Sequence, residues 1–176
     1  KIIKVDLQDG GKTRIVISDD GYGMSKDDLV AALDRHATSK LPDEDLLHIA
    51  HLGFRGEALA SIAAVSRTKI ATHDKQSGEG WEISCEAGHK SRASPSSHPN
   101  GTRIEIRDLF YATPARLKFQ KSERAEYSAV KDMLSRLAMA YPHIGFELTH
   151  DGVHKMRLPA VDHQQSRLAS IIGREF

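Results

Sequence analysis

The order of hairpin and helix patterns constrains the fold of this 176-residue chain more than any other feature of its sequence. Two β-branched segments, Ile2–Leu7 and Arg14–Ser18, are joined by Asp9-Gly10-Gly11-Lys12, which predicts a β-hairpin. Helix patterns follow, and strand patterns then return. Because runs of strands that are separate from runs of helices favour segregated layers, we predict an α+β fold. The expected architecture is a two-layer sandwich, a mixed β-sheet with helices on one face.

The remaining elements are predicted from hydrophobic periodicity and turn residues. Five further strands are expected, at Arg67–Thr72, Gly80–Glu86, Thr102–Arg107, Phe146–Leu148 and Val153–Leu158. One helix is expected to begin at Ser25-Lys26-Asp27-Asp28, which resembles a capping box, and a short helix is expected within Leu41–Ala50, after Pro42. Two further helices are expected at Glu57–Val65 and Ser122–Ala140. The longest helix carries an apolar stripe of Tyr127, Val130, Leu134, Leu137 and Tyr141. A loop rich in Ser and Pro is predicted at His89–Pro99.

Composition excludes several classes of protein. Lys and Arg number 25 against 24 Asp and Glu, so a strongly basic nucleic-acid module is not expected, and any DNA contact requires a local patch. The single Cys excludes an internal disulfide and a Cys-based zinc site, which fits a reducing compartment. The 10 His are scattered, and His48 and His51 lack a clear third ligand, so no metal site is predicted. We expect neither a membrane span nor a signal peptide.

A carboxylate and two glycines follow the second predicted strand, in the segment Asp19-Asp20-Gly21-Tyr22-Gly23. Glycine lets the backbone turn sharply and lets a ligand approach the main chain closely. A carboxylate at a strand end can accept a hydrogen bond from an exocyclic amine such as adenine N6. On these residues alone, a plain strand–turn–helix joint with a capping Asp is the favoured interpretation. The third glycine of a dinucleotide-binding fingerprint is absent.

Two further segments have the chemistry of an anion site. Gly53-Phe54-Arg55-Gly56-Glu57-Ala58-Leu59 runs from a glycine-bounded loop into a helix start, where free N–H groups and the helix dipole favour anions. A flexible loop with Glu57 near the helix N-terminus is an equally good interpretation. His36-Ala37-Thr38-Ser39-Lys40 offers two hydroxyls and an ammonium for phosphate oxygens, although a solvated helix end is the more usual case.

The fourth candidate segment begins at Gly101-Thr102, where a hydroxyl opens a strand. It continues through Asp108–Phe119, in which the basic Arg116 and Lys118 lie between aromatic residues. A hairpin strand followed by a connector packed by Phe110 and Phe119 explains the same residues without a ligand.

Together, in this order, the four segments resemble the MutL family of DNA mismatch repair proteins, within the GHKL superfamily of gyrase, Hsp90, histidine kinase and MutL ATPases. Asp19-x-Gly21-x-Gly23 is similar to the superfamily's adenine-reading motif. Arg35–Lys40 and Leu52–Ile62 resemble the MutL form of the ATP lid, and Gly101-Thr102 resembles the last nucleotide motif. The lid and the Asp108–Phe119 stretch separate MutL from the other members. The resemblance covers nearly the whole chain.

The resemblance implies a role for each matching residue. Asp19 accepts the adenine amine, Gly21 and Gly23 give room at the base, and Thr102 supports the adenine end. The lid that wraps the phosphates is formed by Thr38, Ser39, Lys40, Gly53, Phe54, Arg55, Gly56, Glu57, Ala58 and Leu59. The lid is expected to be mobile without nucleotide and ordered with it. Implied cofactors are ATP and Mg²⁺.

This sequence also departs from the family pattern. The family carries its hydrolytic Glu and Mg²⁺-holding Asn on one helix, as E-x-x-x-N. Asn100 is the only Asn here, and Ser96 lies four residues before it. The chain therefore contains neither a catalytic residue nor a metal ligand of the family type, and we expect it to be inactive alone. Asp20 and Ala112 occupy positions where the family often has Asn.

The ends of the chain and the resemblance lead to a domain prediction. Because Lys1–Val5 already has a strand pattern, we expect a fragment whose first helices are missing; a missing tag or leader is the alternative. Residues 1–160 are expected to form the ATP-binding domain, and residues 161–176 a linker and the start of a second, transducer domain.

Two functions fit the family. The first is an ATP-binding and hydrolysing switch that couples mismatch recognition to downstream repair. The second is a non-enzymatic adaptor surface for DNA or repair proteins. The implied partners are a MutS-like mismatch recognition protein, DNA bound weakly and mainly outside this chain, and a second copy upon ATP binding; no membrane is expected. A cytoplasmic location is favoured, or a nuclear one in a eukaryote.

Overall fold

The computed structural model describes residues 1–35 and 56–172, and within these ranges it forms one mixed sheet flanked by helices. The strands are β1 (Ile2–Gln8), β2 (Arg14–Asp19), β3 (Arg67–His73), β4 (Gly80–Glu86), β5 (His89–Lys90), β6 (Ser94–Pro95), β7 (Gly101–Arg107), β8 (Gly145–His150) and β9 (Val153–Leu158). The helices are α1 (Lys26–Ala31), α2 (Ala58–Ala63), α3 (Pro114–Leu117), α4 (Glu123–Ala140) and α5 (Gln164–Ile172).

The strand order is β5-β4-β3-β7-β2-β1-β8-β9, and β6 pairs with β4. Strands β1 and β8 run parallel, whereas the other pairs of described strands are antiparallel. The mixed sheet predicted from the sequence is therefore confirmed. Strand β7 lies between β2 and β3 and is antiparallel to both. The end of β2 therefore lies beside the start of β7, in the middle of the sheet.

One face of the sheet carries apolar side chains in lateral rows, because residues that pair across neighbouring strands point to the same face. One row crosses six strands through Leu148, Val5, Ile17, Ile104, Ile70 and Ile83. The next row contains His150, Leu7, Ile15, Ile106, Thr68 and Cys85. Helices cover the two ends of this face.

Helix α4 covers the β1–β8–β9 end. Its Leu134 and Ala138 are buried in one cluster with Leu7 and Phe146. The other residues of the predicted stripe, Tyr127, Val130, Leu137 and Tyr141, are partly buried against the same cluster. The helical period of the stripe therefore predicted the packed side of α4 correctly.

Helices α1 and α2 cover the β3–β4 end. Leu29 of α1 and Ala63 of α2 are buried with Ile70 and Ile83 of the sheet. Ser25 caps α1 as predicted, and its Oγ accepts a hydrogen bond from the Asp28 N–H at 3.2 Å. Both helical groups pack on the face that carries the apolar rows, which confirms the two-layer prediction.

Helix α5 packs on the same body through a buried arginine. Arg167 is fully buried, and its Nη2 donates to the carbonyl oxygens of Pro142 at 2.8 Å and Ile144 at 2.7 Å. Burial lowers the pKa of Arg167 below its ordinary value. Helix α5 follows the domain boundary predicted near residue 160, and it packs against α4, which precedes that boundary.

The structure corrects several local predictions. The predicted loop at His89–Pro99 contains the two short strands β5 and β6, because β4 needs pairing partners at the sheet edge. The connector after β7 contains the short helix α3, and Phe119 is 84% exposed, so it does not pack the connector. The predicted helix at Leu41–Ala50 lies outside the described residues. No helix in the described ranges is long and apolar enough to cross a membrane.

Candidate functional site

Three polar side chains lie in one lateral row at the ends of β2, β7 and β3. Asp19 pairs with Thr102, and Thr102 pairs with Thr72. Thr72 is fully buried and Thr102 is nearly so, whereas Asp19 is half-buried. The row of Ile17 and Ile104 comes next along the same strands, and Ile17 is 37% exposed. A carboxylate and a hydroxyl therefore border an apolar surface in the middle of the sheet.

A short turn fixes the Asp19 carboxylate. The Gly21 N–H donates a hydrogen bond to Asp19 Oδ1 at 2.8 Å. A Cβ atom at residue 21 would lie 2.7 Å from that oxygen, so a larger side chain would disturb the carboxylate. Among the described residues, Oδ2 has no hydrogen-bond partner and remains able to accept one. Asp20 behaves differently, because its Oδ1 accepts from the Ile2 N–H at 2.7 Å.

The segment after Gly21 lies against the β3–β4 hairpin. Gly23 has φ +75°, and a Cβ atom there would overlap the carbonyl oxygen of His73. The Lys75 N–H donates to the Tyr22 carbonyl at 2.9 Å. The N–H groups of Gln76 and Ser77 donate to the Asp74 carboxylate, and these bonds, led by the one from Gln76, lower the pKa of Asp74. The close approach of the Gly23 backbone to the His73 carbonyl oxygen therefore requires glycine at position 23.

Gly101 brings the start of β7, which carries Thr102, against the end of β2, which carries Asp19. Its φ is +112°, and a Cβ atom there would overlap the carbonyl oxygen of Asp19. This conformation favours glycine. Because β7 begins at Gly101, the close approach places Thr102 directly beside Asp19.

The start of α2 is the described part of the predicted lid. Gly56 has φ +60°, Glu57 occupies the N-cap position, and Ala58 begins the helix. Leu59 is partly buried against the cluster that contains Leu29. The other predicted lid residues, Thr38, Ser39, Lys40, Gly53, Phe54 and Arg55, lie outside the described residues.

Sequence reasoning missed Thr72, which the fold places in the site. Its Oγ1 accepts from the Met24 N–H at 2.9 Å, and it lies 3.1 Å from both the Gly101 carbonyl oxygen and Thr102 Oγ1. The only available signal was a threonine at the end of a strand pattern. That signal does not tell which strand is adjacent, because strand order is not encoded locally.

A group of possible metal ligands lies away from this site. His150 Nε2 is 3.5 Å from a Glu123 oxygen and 3.2 Å from an Asp151 oxygen. However, the Gly10 N–H donates to the same nitrogen at 3.0 Å and so uses the lone pair that a metal would need. The His150 of this group lies on β8, two strands from β2 and two side-chain rows from Asp19.

Comparisons with known proteins show the family and the fold of this chain. The family model described as "Histidine kinase-, DNA gyrase B-, and HSP90-like ATPase" matches residues 1–112. The chain is 49% identical to the DNA mismatch repair protein MutL of Paramagnetospirillum magneticum, with 99% of this chain and 30% of that protein covered. It is 48% identical to MutL of Rhodospirillum rubrum, with 99% and 28% covered. The chain therefore spans about a third of the length of these relatives.

Solved structures agree with the sequence matches. The Aquifex aeolicus MutL ATPase domain complexed with ADP superimposes with a TM-score of 0.80 at 27% identity, covering 97% of this chain and 60% of that one. Another structure of the A. aeolicus MutL ATPase domain gives a TM-score of 0.71 at 25% identity, with 95% and 56% covered. The chain belongs to the histidine kinase-, DNA gyrase B- and HSP90-like ATPase family, and the relatives and solved structures to which it is similar are MutL proteins.

Proposed function

We propose that this chain is the ATP-binding part of a MutL-type DNA mismatch repair protein. The observation that carries the proposal is the row of Asp19, Thr102 and Thr72 beside the Gly21–Gly23 turn. It combines a fixed carboxylate, a hydroxyl and an apolar surface, which are the groups that an adenine ring requires. The family match and the MutL relatives support the assignment.

Asp19 reads the base in this proposal. Its Oδ1 is held by Gly21, so Oδ2 is oriented to accept a hydrogen bond from the adenine N6 amine. Guanine has a carbonyl oxygen at the corresponding position, which a carboxylate repels. The half-exposed Ile17 offers apolar contact for the ring, and Thr102 contributes a hydroxyl next to the carboxylate.

The phosphates lie toward the lid in this proposal. The described lid residues, Gly56 to Leu59, begin α2, and Leu59 packs in the cluster that includes Met24 and Ile104 near the adenine end. The lid thus shares a core with the base site. Thr38, Ser39, Lys40, Gly53, Phe54 and Arg55 complete the proposed phosphate contacts on the basis of the family resemblance alone.

The residues of this chain fit ATP better than they fit Mg²⁺. The 176 residues contain no E-x-x-x-N motif, since Asn100 is the only Asn and Ser96 precedes it by four. The proposal therefore assigns neither a Mg²⁺ ligand nor a general base to this chain. Both groups belong to another segment of the ATPase, where Mg²⁺ would neutralise phosphate charge.

At the level of the whole protein, we propose an ATP-driven switch that couples mismatch recognition to downstream repair. Its proposed partners are a MutS-like protein, DNA and a second copy bound in the ATP state. The proposed location is the cytoplasm, as the similar MutL proteins come from bacteria. The proposed boundary places the ATP-binding domain at residues 1–160 and the start of a second domain at 161–176.

Replacing Asp19 tests the adenine assignment. Asp19→Ala in the full-length protein is expected to weaken ATP binding about tenfold or more, because a hydrogen bond to a charged acceptor contributes roughly 1.5–3 kcal/mol. GTP binding should not weaken, because the Ala side chain removes the repulsion between the carboxylate and the guanine carbonyl oxygen. Isothermal titration with both nucleotides measures the two affinities.

Asp19→Asn is the matched control. Its amide oxygen can still accept from Gly21 and preserve the turn, but its NH₂ group faces the base as a donor. This variant should lose ATP affinity while gaining affinity for GTP. Unchanged ATP affinity in Asp19→Ala, or an equal loss for both nucleotides, would contradict the assignment.

A further inference from the structure

We propose that Thr72 is a positioning residue that sets the direction of the Thr102 hydroxyl and thereby the preference for adenine over guanine. This inference rests on the proposed adenine site. Thr72 lies on β3, one strand further from Asp19 than Thr102, and has no exposed surface. It therefore acts through Thr102 and not through direct contact with the base.

The hydrogen bonds around Thr72 join three segments of the site. Its Oγ1 accepts from the Met24 N–H at 2.9 Å, which ties down the end of the glycine turn. The same atom lies 3.1 Å from the Gly101 carbonyl oxygen and 3.1 Å from Thr102 Oγ1. A hydroxyl has one proton to donate and two lone pairs to accept with. Thr72 can therefore donate to Gly101 or to Thr102, but not fully to both.

That choice decides what Thr102 presents to a ligand. When Thr72 donates to Thr102, the Thr102 proton is free to point toward the base as a donor. When Thr72 donates to Gly101, Thr102 can donate back to Thr72 and presents only lone pairs to the base. Adenine N1 is an acceptor and needs a donor, whereas guanine N1 carries a proton and needs an acceptor. ATP binding selects the first arrangement.

Thr72→Val removes the hydroxyl and keeps nearly the same volume. We expect about tenfold weaker ATP binding, because the Met24 N–H loses its acceptor and the Thr102 hydroxyl loses its fixed direction. The ratio of ATP to GTP affinity should also fall, since a freely rotating Thr102 can accept as well as donate. Titration of the full-length protein with both nucleotides gives affinity and ratio together.

Two control variants distinguish a positioning role of Thr72 from a general loss of structure. Thr68→Val removes another buried hydroxyl from the same face of β3, one that lies 2.9 Å from Ser66 Oγ, and it should leave both nucleotide affinities unchanged. Thr72→Ser restores a hydroxyl and should restore the affinity ratio. If Thr72→Val fails to fold, Thr72→Ser against Thr72→Ala makes the same comparison, because these variants differ by one oxygen atom.

The outcomes distinguish this inference from the proposed function. A folded Thr72→Val, or Thr72→Ala, that binds ATP and GTP with the wild-type ratio overturns the role of Thr72, while sensitivity to Asp19→Ala would leave the adenine site intact. A wild-type protein that shows no preference for ATP over GTP overturns both. A lowered ratio in the Thr72→Val variant, restored by Ser and untouched in Thr68→Val, supports the positioning role.

Discussion

ATP hydrolysis by the 176-residue chain alone is expected to be slower by about 10²–10⁴-fold than hydrolysis by an ATPase domain that carries the E-x-x-x-N helix, because a positioned general base contributes that much. The 176 residues have no such motif. We propose that the Asp19 carboxylate binds the base of the nucleotide and so does not serve as the general base. Asp20, its neighbour, holds the Ile2 N–H instead. A steady-state assay of purified chain with Mg-ATP measures the rate.

Joining the chain to a helix that carries E-x-x-x-N is expected to restore slow, Mg²⁺-dependent hydrolysis. Asp19→Ala in that joined protein is the control for contaminating ATPases, since it should raise the ATP concentration for half-maximal activity about tenfold or more. Robust hydrolysis by the 176-residue chain that shows the same shift in ATP dependence in Asp19→Ala would mean that a base exists within the chain, and the assignment of catalysis to another segment would be wrong.

Gly23→Ala is expected to lower the free energy of unfolding by about 2–4 kcal/mol. The left-handed backbone contributes about 1–2 kcal/mol of strain for a non-glycine residue. The remainder comes from overlap of the new Cβ with the His73 carbonyl oxygen, a backbone atom that cannot move without shifting the β3–β4 hairpin. Urea unfolding followed by the fluorescence of Trp81, the one Trp of the chain, measures the loss.

Gly152→Ala is the matched control for the backbone term. Gly152 has the same φ of +75°, but nothing lies within 4 Å of an added Cβ. It should therefore show only the strain of about 1–2 kcal/mol. Equal losses in the two variants would show that the approach of His73 to Gly23 does not contribute. A larger loss at Gly23, together with weakened ATP binding, links the packing of the glycine turn to the site.

Local patterns predicted most of the elements of the sheet, because each depends on neighbours in the sequence. Strand β4 was predicted with its observed bounds, and β9 likewise. The stripe on α4 and the Ser25 cap were also predicted, since helical periodicity and capping act over three or four residues. The short strands β5 and β6 were missed, because they pair only through contact with β4.

By itself, the sequence determined the motif residues and their order, and from these the family. Asp19 with its two glycines, and Gly101-Thr102, are recognisable in the sequence through their order along the chain and their resemblance to the family motifs. Only the tertiary structure decided that β7 lies between β2 and β3. That order brings Thr72, thirty residues before Thr102 in the chain, to 3.1 Å from its hydroxyl. Strand order is settled by packing and pairing across the whole sheet, so no local pattern could have placed Thr72 in the site.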